Sequence, residues 1–347
     1  MRQASVYNLK PIEYLIFNDL VLFCLTSVTL FNATQPHMIS KISFSLFCKY
    51  IVFIGSFLIW NSTFGQGSKN TPNAVQMKTY NYADTLQLDF YNIPSTTLEL
   101  KPTVVLVHGG GFTAGQRNGG DEKRLSTYLA KQGFNVASIN YRLSRKGKSF
   151  GCDCPASIKI DTYVEAVADL SKAINYLTKD SLPFKADPTK IFLIGSSAGA
   201  ETILNFQFMR YDYRFKNLPY PNAEVAGAVS LSGAVLDENY IDKSNKIPLL
   251  FLHGVKDSIV PIDTNPHRFC SSDKTGYLRI NGPKAIAERL SDIGGNFSLF
   301  YNENGGHEWA SFGFDFPELI SNFLKDVLRG DFSKQEFNEI AAPENKK

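Results

Sequence analysis

Short apolar runs alternate with longer amphipathic segments along most of this 347-residue chain. Apolar and β-branched runs of about four to eight residues are typical of buried strands, and apolar residues at helical spacing are typical of helices. This spacing predicts helices at 121–132, 161–179, 283–293 and 316–329, and one that begins at Ala198. Strands are predicted at 103–107, 134–141, 190–194, 225–231, 248–253 and 296–301, after one or two opening strands at 76–92.

The alternation of predicted strands and helices indicates an α/β fold with a mostly parallel central sheet and helices on both faces. The wholly apolar run at 249–252 fits a strand that is buried on both sides. Two connections, 144–160 and 258–282, are longer than the others and follow strand ends. We expect both to lie over one edge of the sheet and to shape a pocket there. The charged segment after about Arg329 is predicted to be a frayed end.

Composition and charge are those of a globular protein. The chain is 44% hydrophobic and 20% charged, with a formal net charge of +3. It has no long basic run and no basic patch interleaved with aromatic residues, so no nucleic-acid partner is expected.

The N-terminal segment has two apolar stretches, at about 14–31 and 44–60. The first contains Asn18 and Asp19, which would be unfavourable inside a bilayer. The second has basic residues before it and small residues at its end, near Gly65, as signal peptides do.

We therefore predict a signal peptide at 38–65 that directs the protein to the periplasm or the exterior. Residues 1–37 are then a misassigned upstream extension or a leader. The alternative is an uncleaved N-terminal membrane anchor, which would be the only contact with a membrane.

Three of the five cysteines follow this leader: Cys152, Cys154 and Cys270. An odd number gives no complete disulfide framework. Export would permit one bridge, from Cys270 to Cys152 or to Cys154. The alternative is that they are surface thiols.

Two glycine-rich motifs each follow a predicted strand. The sequence 108–112 reads HGGGF, and 195–199 reads GSSAG. The second is a G-x-S-x-G motif, a sharp strand-to-helix turn that lifts a serine hydroxyl clear of a sheet, so Ser197 is the predicted nucleophile. The first loop offers the backbone N–H groups of Gly110 and Gly111 to a developing oxyanion, and Ala198 N–H at the helix start is the predicted third donor.

A serine nucleophile needs a base, and the base needs an orienting acid. In a strand–turn–helix architecture, both follow the serine along the chain. His307 lies in a glycine-rich loop after the last predicted strand and is the predicted base. His253 and His267 are the alternatives, although His253 ends a strand, where an imidazole more often braces a turn.

Asp257 lies four residues beyond a predicted strand and is the predicted acid, with Asp263 and Asp237 as competitors. Glu201 and Glu308 are expected to be helix-face or salt-bridging carboxylates. Arg142 is expected to tie a strand end to a carboxylate.

These residues resemble the α/β-hydrolase fold, specifically the secreted carboxylesterase and lipase-like group with an HGGG oxyanion motif. The resemblance runs from about residue 80 to 330 and implies two-step hydrolysis through an acyl-serine, without a metal or an organic cofactor. Ser196 departs from the aspartate that many relatives carry before the serine. Residues 66–100 offer little material for the helical cap of the hormone-sensitive-lipase type. These departures favour the feruloyl- and acetylxylan-esterase-like group.

The sequence therefore predicts a secreted serine carboxylic-ester hydrolase that acts on short-chain or carbohydrate-linked esters. Its small-molecule or carbohydrate ester is the only expected partner. The alternatives are a serine peptidase of the prolyl oligopeptidase type and an inactive binding module of the same fold. After the leader, the predicted organisation is a linker at 66–75, a catalytic domain at 76–330 and a polar tail at 331–347.

Overall fold

The computed structural model describes residues 74–179 and 181–344. The predicted leader and signal peptide at 1–65, and most of the predicted linker, lie outside the described residues. Among the residues that are described, no helix combines the length and the hydropathy needed to span a bilayer.

Every predicted helix and strand is present, in the predicted order, and five short elements, at 181–184, 264–266, 279–281, 309–312 and 335–339, were not predicted. The strands are β1 Gln76–Ala83, β2 Leu86–Asn92, β3 Lys101–Val107, β4 Asn135–Ile139, β5 Ala186–Ser196, β6 Val225–Leu231, β7 Leu249–Gly254, β8 Thr264–Pro266, β9 Arg279–Asn281, β10 Phe297–Asn302 and β11 Gln335–Glu339. The helices are α1 Gly120–Lys131, α2 Ala156–Lys179, α3 Ser181–Phe184, α4 Ala198–Phe208, α5 Pro283–Asp292, α6 Trp309–Phe312 and α7 Pro317–Arg329.

Nine strands form one sheet in the order β1-β2-β4-β3-β5-β6-β7-β10-β11. β2 is antiparallel to both of its neighbours, and all other neighbours in this sheet are parallel. The predicted mostly parallel sheet is therefore confirmed. β8 and β9 form a separate antiparallel ribbon within the long connection at 258–282.

Helices cover both faces of the sheet because its inner strands are apolar on both sides. Successive side chains of a strand point to opposite faces. Val105 of β3 accordingly belongs to a buried cluster with Leu170 of α2, and Val104 belongs to the opposite cluster with Leu129 of α1. All four side chains are fully buried. Each such burial contributes about 1.5–3 kcal/mol to stability.

The prediction of a frayed end after Arg329 is wrong for Gln335–Glu339, which form the edge strand β11. Gly330 ends α7 in the left-handed conformation, with φ 75°. The chain then pairs in parallel with β10, and the Phe337 ring packs edge-on against Phe297 with centroids 5.3 Å apart. Only alternate residues of β11 are partly buried, so its sequence carries little of the apolar signal that predicts a strand.

Candidate active site

Ser197 lies in the turn between β5 and α4, at the carboxyl edge of the sheet. Its backbone has a φ of 49°, a conformation that a residue with a side chain adopts at a cost of about 1–3 kcal/mol. The glycines on either side permit this turn. A Cβ on Gly199 would lie 2.1 Å from the Val107 carbonyl oxygen, and one on Gly195 would lie 2.4 Å from the Gly199 oxygen. The close packing of backbone on backbone therefore fixes the position of the serine.

A continuous chain of hydrogen bonds joins Ser197, His307 and Asp257. Ser197 Oγ lies 2.8 Å from His307 Nε2, and His307 Nδ1 lies 2.7 Å from Asp257 Oδ2. Asp257 Oδ1 accepts hydrogen bonds from the backbone N–H groups of Ile259 and Val260, both at 2.9 Å. The three residues follow β5, β10 and β7, so the structure brings together at one edge the three side chains that the sequence predicts.

The surroundings of Asp257 favour its ionised form. Burial alone would raise its pKa, but the hydrogen bond with His307 and the nearby His253 ring outweigh burial, and the pKa lies below its ordinary value. A carboxylate at this position accepts the Nδ1 proton of His307. His307 Nε2 is then left to accept the proton of the Ser197 hydroxyl.

The glycine loop passes directly beside Ser197. A Cβ on Gly109 would lie 3.3 Å from the Ser197 Cβ. Gly110 and Gly111 both have positive φ, at 111° and 61°. Within the described part of the chain, the backbone N–H groups of Gly110, Gly111 and Ala198 have no hydrogen-bond acceptor. These three predicted donors are therefore unused by the fold and adjacent to the nucleophile.

His108, the first residue of the glycine loop, supports that loop. His108 is buried, and its Nδ1 donates to the Gly109 carbonyl at 2.7 Å. Its ring stacks on Tyr141, and the Tyr141 hydroxyl donates to the His108 carbonyl at 3.0 Å. His108 thus supports the glycine loop through Gly109 and Tyr141.

A cleft of about 680 Å³ opens over Ser197, His307 and the glycine loop. Asp121 and Glu122, at the start of α1, line part of it. Further lining comes from the two long connections and from the segment around α6: Ser149, Phe150, Ile259, Arg268, Ala310 and Phe314. The long connections therefore do form walls of the pocket over this edge, as their positions predict.

The contacts of the alternative bases are with residues other than Ser197. His253 is buried, donates from Nε2 to the Val260 carbonyl at 2.9 Å, and lies 3.5 Å from Asp257 Oδ2. It braces the turn that carries Asp257, and burial lowers its pKa. His267 is buried at 3.8 Å from Glu201 Oε1.

The alternative acids also have other contacts. Asp263 pairs with Lys284 at 3.1 Å, and Asp237 accepts a hydrogen bond from Asn239 N–H at the start of a short 3₁₀ turn. Among the described residues, no group of three or more His, Cys, Asp or Glu side chains is arranged to hold a metal ion.

Glu201, beside the candidate site, was predicted to be a helix-face or salt-bridging carboxylate, and this prediction misses its burial. The structure buries it one turn beyond Ser197, where it accepts a hydrogen bond from the Tyr163 hydroxyl at 2.8 Å. Burial raises its pKa to about 7, against the opposing effect of Tyr163, His307 and Arg268. The signal for this burial in the sequence is an acidic residue among the apolar residues of the first turns of α4.

The two other charged residues near the motifs have structural roles, as expected. Arg142 donates to Asp169 from Nε at 2.8 Å and from Nη2 at 2.6 Å. Glu308 accepts from the Gly306 backbone N–H at 2.7 Å and so closes the turn that carries His307.

One disulfide, Cys152–Cys270, joins the two long connections. Cys154 is free and buried, so the alternative of surface thiols is wrong for it. Close by, the ammonium group of the fully buried Lys159 donates to the Gly276 carbonyl at 2.8 Å. These two connections, residues 144–155 and 258–282, form the loop wall of the cleft, and a covalent bond and a buried hydrogen bond cross-link it.

The chain is similar to several known proteins over part of its length. The BD-FAE family model matches residues 88–218. An isoprenylcysteine alpha-carbonyl methylesterase of Arabidopsis thaliana is 33% identical over 114 residues, which are 33% of this chain and 23% of the relative. Protein bem46 of Schizosaccharomyces pombe is 27% identical over 227 residues, covering 59% of this chain and 70% of that protein.

The chain spans between 23% and 34% of the length of the curated methylesterases that it matches. Among solved structures, Thermogutta terrifontis esterase 2 phosphorylated by paraoxon superposes with a TM-score of 0.53 at 18% identity, over 75% of this chain and 96% of that one. The sheet order, the turn at Ser197 and this superposition show that the chain has the α/β-hydrolase fold.

Proposed function

We propose that this protein is a serine carboxylic-ester hydrolase that works through an acyl-serine at Ser197. The observation that carries the proposal is the unbroken hydrogen-bond chain from Ser197 through His307 to Asp257. A serine hydroxyl in reach of an oriented imidazole, with unused N–H donors beside it, is the arrangement that acyl transfer requires.

In the first half-reaction, Ser197 Oγ attacks the ester carbonyl carbon while His307 Nε2 takes the hydroxyl proton. Gly110, Gly111 and Ala198 N–H groups hold the oxyanion of the tetrahedral intermediate. The bond to the alcohol oxygen then breaks, and His307 gives its proton to the departing alcohol. Asp257 keeps the Nδ1 proton in place and stabilises the imidazolium form.

In the second half-reaction, water attacks the acyl-serine and His307 takes one of its protons. The tetrahedral intermediate collapses, the carboxylic acid leaves, and the proton returns to Ser197 Oγ. The cycle consumes one ester and one water and restores the enzyme.

The proposed substrates are short-chain or carbohydrate-linked esters. The cleft lies open over Ser197 and combines backbone and charged groups with Phe150, Ile259 and Phe314, which suits a small ester with both polar and apolar parts. The names of the relatives, an isoprenylcysteine methylesterase and a gut esterase among them, support ester cleavage.

We further propose that the protein is exported, to the periplasm or the exterior. The Cys152–Cys270 disulfide supports this, because such bonds persist in oxidising compartments. An uncleaved N-terminal anchor is the alternative, and cell fractionation with detection of the mature N-terminus tells the two apart.

The test of the proposed function is hydrolysis of p-nitrophenyl acetate by the wild type and by Ser197→Ala and His307→Ala. We expect kcat to fall by about 10⁴-fold or more in each variant, because the catalytic residues act as a unit. Ser196→Ala is the matched control, since the Ser196 hydroxyl donates to the Ala310 carbonyl and not to His307. Wild-type rates in either variant would overturn the proposal.

A parallel assay with a peptide amide substrate separates the alternatives. Cleavage of a peptide amide without cleavage of esters would identify a peptidase. A wild-type protein that cleaves neither esters nor peptide amides would be identified as an inactive binding module.

A further inference from the structure

Arg268 lies in the loop wall of the cleft, on the side of the glycine loop. It lines the same cleft as Ser197 and His307. A Cβ built on Gly111 would lie 3.9 Å from Arg268 Nη2, so the guanidinium group comes close to the predicted oxyanion donors. A cation therefore stands at the edge of the space where the ester must bind.

The Arg268 guanidinium has no acceptor of its own. Within the described part of the chain it makes no hydrogen bond and no ion pair, and its Nε is buried without a partner. Buried donors in proteins are almost always satisfied. A guanidinium presents its donors as a planar fork that matches the two oxygens of a carboxylate. The fold thus leaves unused a set of N–H donors whose geometry matches a carboxylate.

The backbone that carries Arg268 is held in an unfavourable conformation. Arg268 and Phe269 both lie in the left-handed region, with φ of 60° and 51°. Such residues persist only where the surroundings fix them. Here Arg268 N–H donates to the Ile259 carbonyl at 2.9 Å, and Cys270 is joined to Cys152. The guanidinium therefore stands on a rigid support, which lowers the entropy lost when it binds a ligand.

Neither of the two carboxyl groups of Glu201 and Asp121 forms an ion pair with Arg268. Glu201 forms no ion pair with it and accepts its hydrogen bond from Tyr163 instead. Burial raises the pKa of Glu201 to about 7, so Arg268 does not hold that group firmly as a carboxylate. Asp121, which also lines the cleft, pairs with Arg124 at 2.8 Å.

We propose that Arg268 binds a carboxylate carried by the ester substrate, so that the enzyme prefers esters with a free carboxylate to neutral esters of the same size. This inference rests on the proposed function, because the carboxylate is positioned relative to an ester at Ser197. Asp121 and Glu122 line the cleft as well and disfavour an anion near α1, which leaves the Arg268 side for it.

The kinetic test compares kcat/KM for paired substrates. Mono-p-nitrophenyl glutarate against p-nitrophenyl pentanoate places the carboxylate on the acyl side. Then p-acetoxybenzoate against p-acetoxybenzamide places it on the alcohol side. We expect the wild type to prefer the anionic member of one pair. In Arg268→Met that preference should fall by about 10- to 100-fold, the range of a charge-assisted hydrogen-bonded pair. Arg268→Lys should keep part of it.

Arg145→Gln is the matched control. Arg145 donates from Nη2 to the Ser149 carbonyl and so already has an acceptor. Its replacement should leave the anionic-to-neutral ratio unchanged. A wild-type enzyme without preference in either pair would overturn the inference. So would an equal loss on anionic and neutral esters in Arg268→Met, which would mean that Arg268 serves the fold or the oxyanion.

A binding measurement separates this inference from the proposed function, because it needs no turnover. Calorimetry compares monomethyl glutarate binding to Ser197→Ala and to Ser197→Ala/Arg268→Met, with thermal unfolding as the check that both fold. About tenfold or greater weakening in the double variant supports carboxylate binding. Equal affinities, or no binding to either, would contradict it, whereas failure of the proposed function shows only as a wild type that cleaves no ester.

Discussion

The carboxyl edge of the sheet and the loop wall across the cleft hold their functional side chains by different means. At the edge, Ser197, Asp257 and His307 follow β5, β7 and β10, and the parallel register of these strands sets their spacing. The loop wall, at 144–155 and 258–282, contains only short regular structure: the three-residue strands β8 and β9 and a 3₁₀ turn at His267–Phe269. A disulfide, a buried lysine and the hydrogen bond from Arg268 N–H to the Ile259 carbonyl hold it instead.

In the proposed function, the edge of the sheet therefore carries out ester cleavage and the loop wall selects the substrate. The edge is rigid because buried strands fix it, so the geometry of bond making is part of the core. The wall depends on a few specific links, and it can vary in sequence without disturbing the sheet. We therefore expect changes at the edge to abolish turnover in a folded protein. Changes in the wall should alter stability or substrate preference first.

The largest effect is expected at the edge, from Asp257→Asn. An amide can present the wrong hydrogen-bonding group to His307 Nδ1, and the same change in a serine protease lowers kcat by about 10⁴-fold. The measurement is kcat with p-nitrophenyl acetate, with circular dichroism as the check on folding. Asp263→Asn is the control, because Asp263 pairs with Lys284 away from the site. A fall of less than tenfold in Asp257→Asn would show that His307 does not depend on this carboxylate.

In the wall, the expected effect is on stability. The Cys152–Cys270 bond closes a sequence separation of 118 residues. Its removal in Cys152→Ser/Cys270→Ser should lower the free energy of unfolding by about 3–5 kcal/mol. Denaturant titration with and without reductant measures this, and reductant should destabilise the wild type but not the Cys152→Ser/Cys270→Ser variant.

Cys154→Ser is the control for the loss of a buried thiol, and it should keep its response to reductant. Wild-type protein with the same unfolding midpoint in both conditions would show that the disulfide does not support the wall.

A smaller effect is expected where the two regions meet, at Glu201. Its pKa is about 7 in the folded protein against an ordinary 4.5, so between these values the folded state binds more protons than the unfolded state. The free energy of unfolding should therefore fall as pH rises through this interval, by about 3 kcal/mol at most. Glu201→Gln keeps an acceptor for Tyr163 and should lack this decline. Denaturant titrations at pH 5 and pH 8 compare the two, and parallel pH profiles would contradict a neutral buried carboxyl.

The edge could be predicted from sequence because its signals are local. The apolar run at 225–231 corresponds residue for residue to β6. The motif around Ser197 specifies a turn by its glycines, and the chain order after it points to Asp257 and His307. The sequence cannot supply which of Cys152 and Cys154, two positions apart, bonds Cys270, because that depends on how two distant loops meet.

The loop wall and the far edge of the sheet depend on tertiary contacts. β11 contains a single phenylalanine among polar residues, and pairing with β10 rather than its own pattern makes it a strand. Nothing around Arg268 in the sequence indicates a left-handed backbone or the closeness of Gly111. Glu201 is buried because Tyr163 of α2 packs onto α4, a contact between segments that are far apart in the chain.

The central claim is that Ser197 is the nucleophile, and covalent labelling tests it most directly. The protein is treated with a fluorophosphonate, and the adduct is located by peptide mass mapping. The account predicts one adduct, on the peptide that contains Ser197, and none in Ser197→Ala. An unlabelled wild-type protein, or an adduct on another residue that persists in Ser197→Ala, would contradict it.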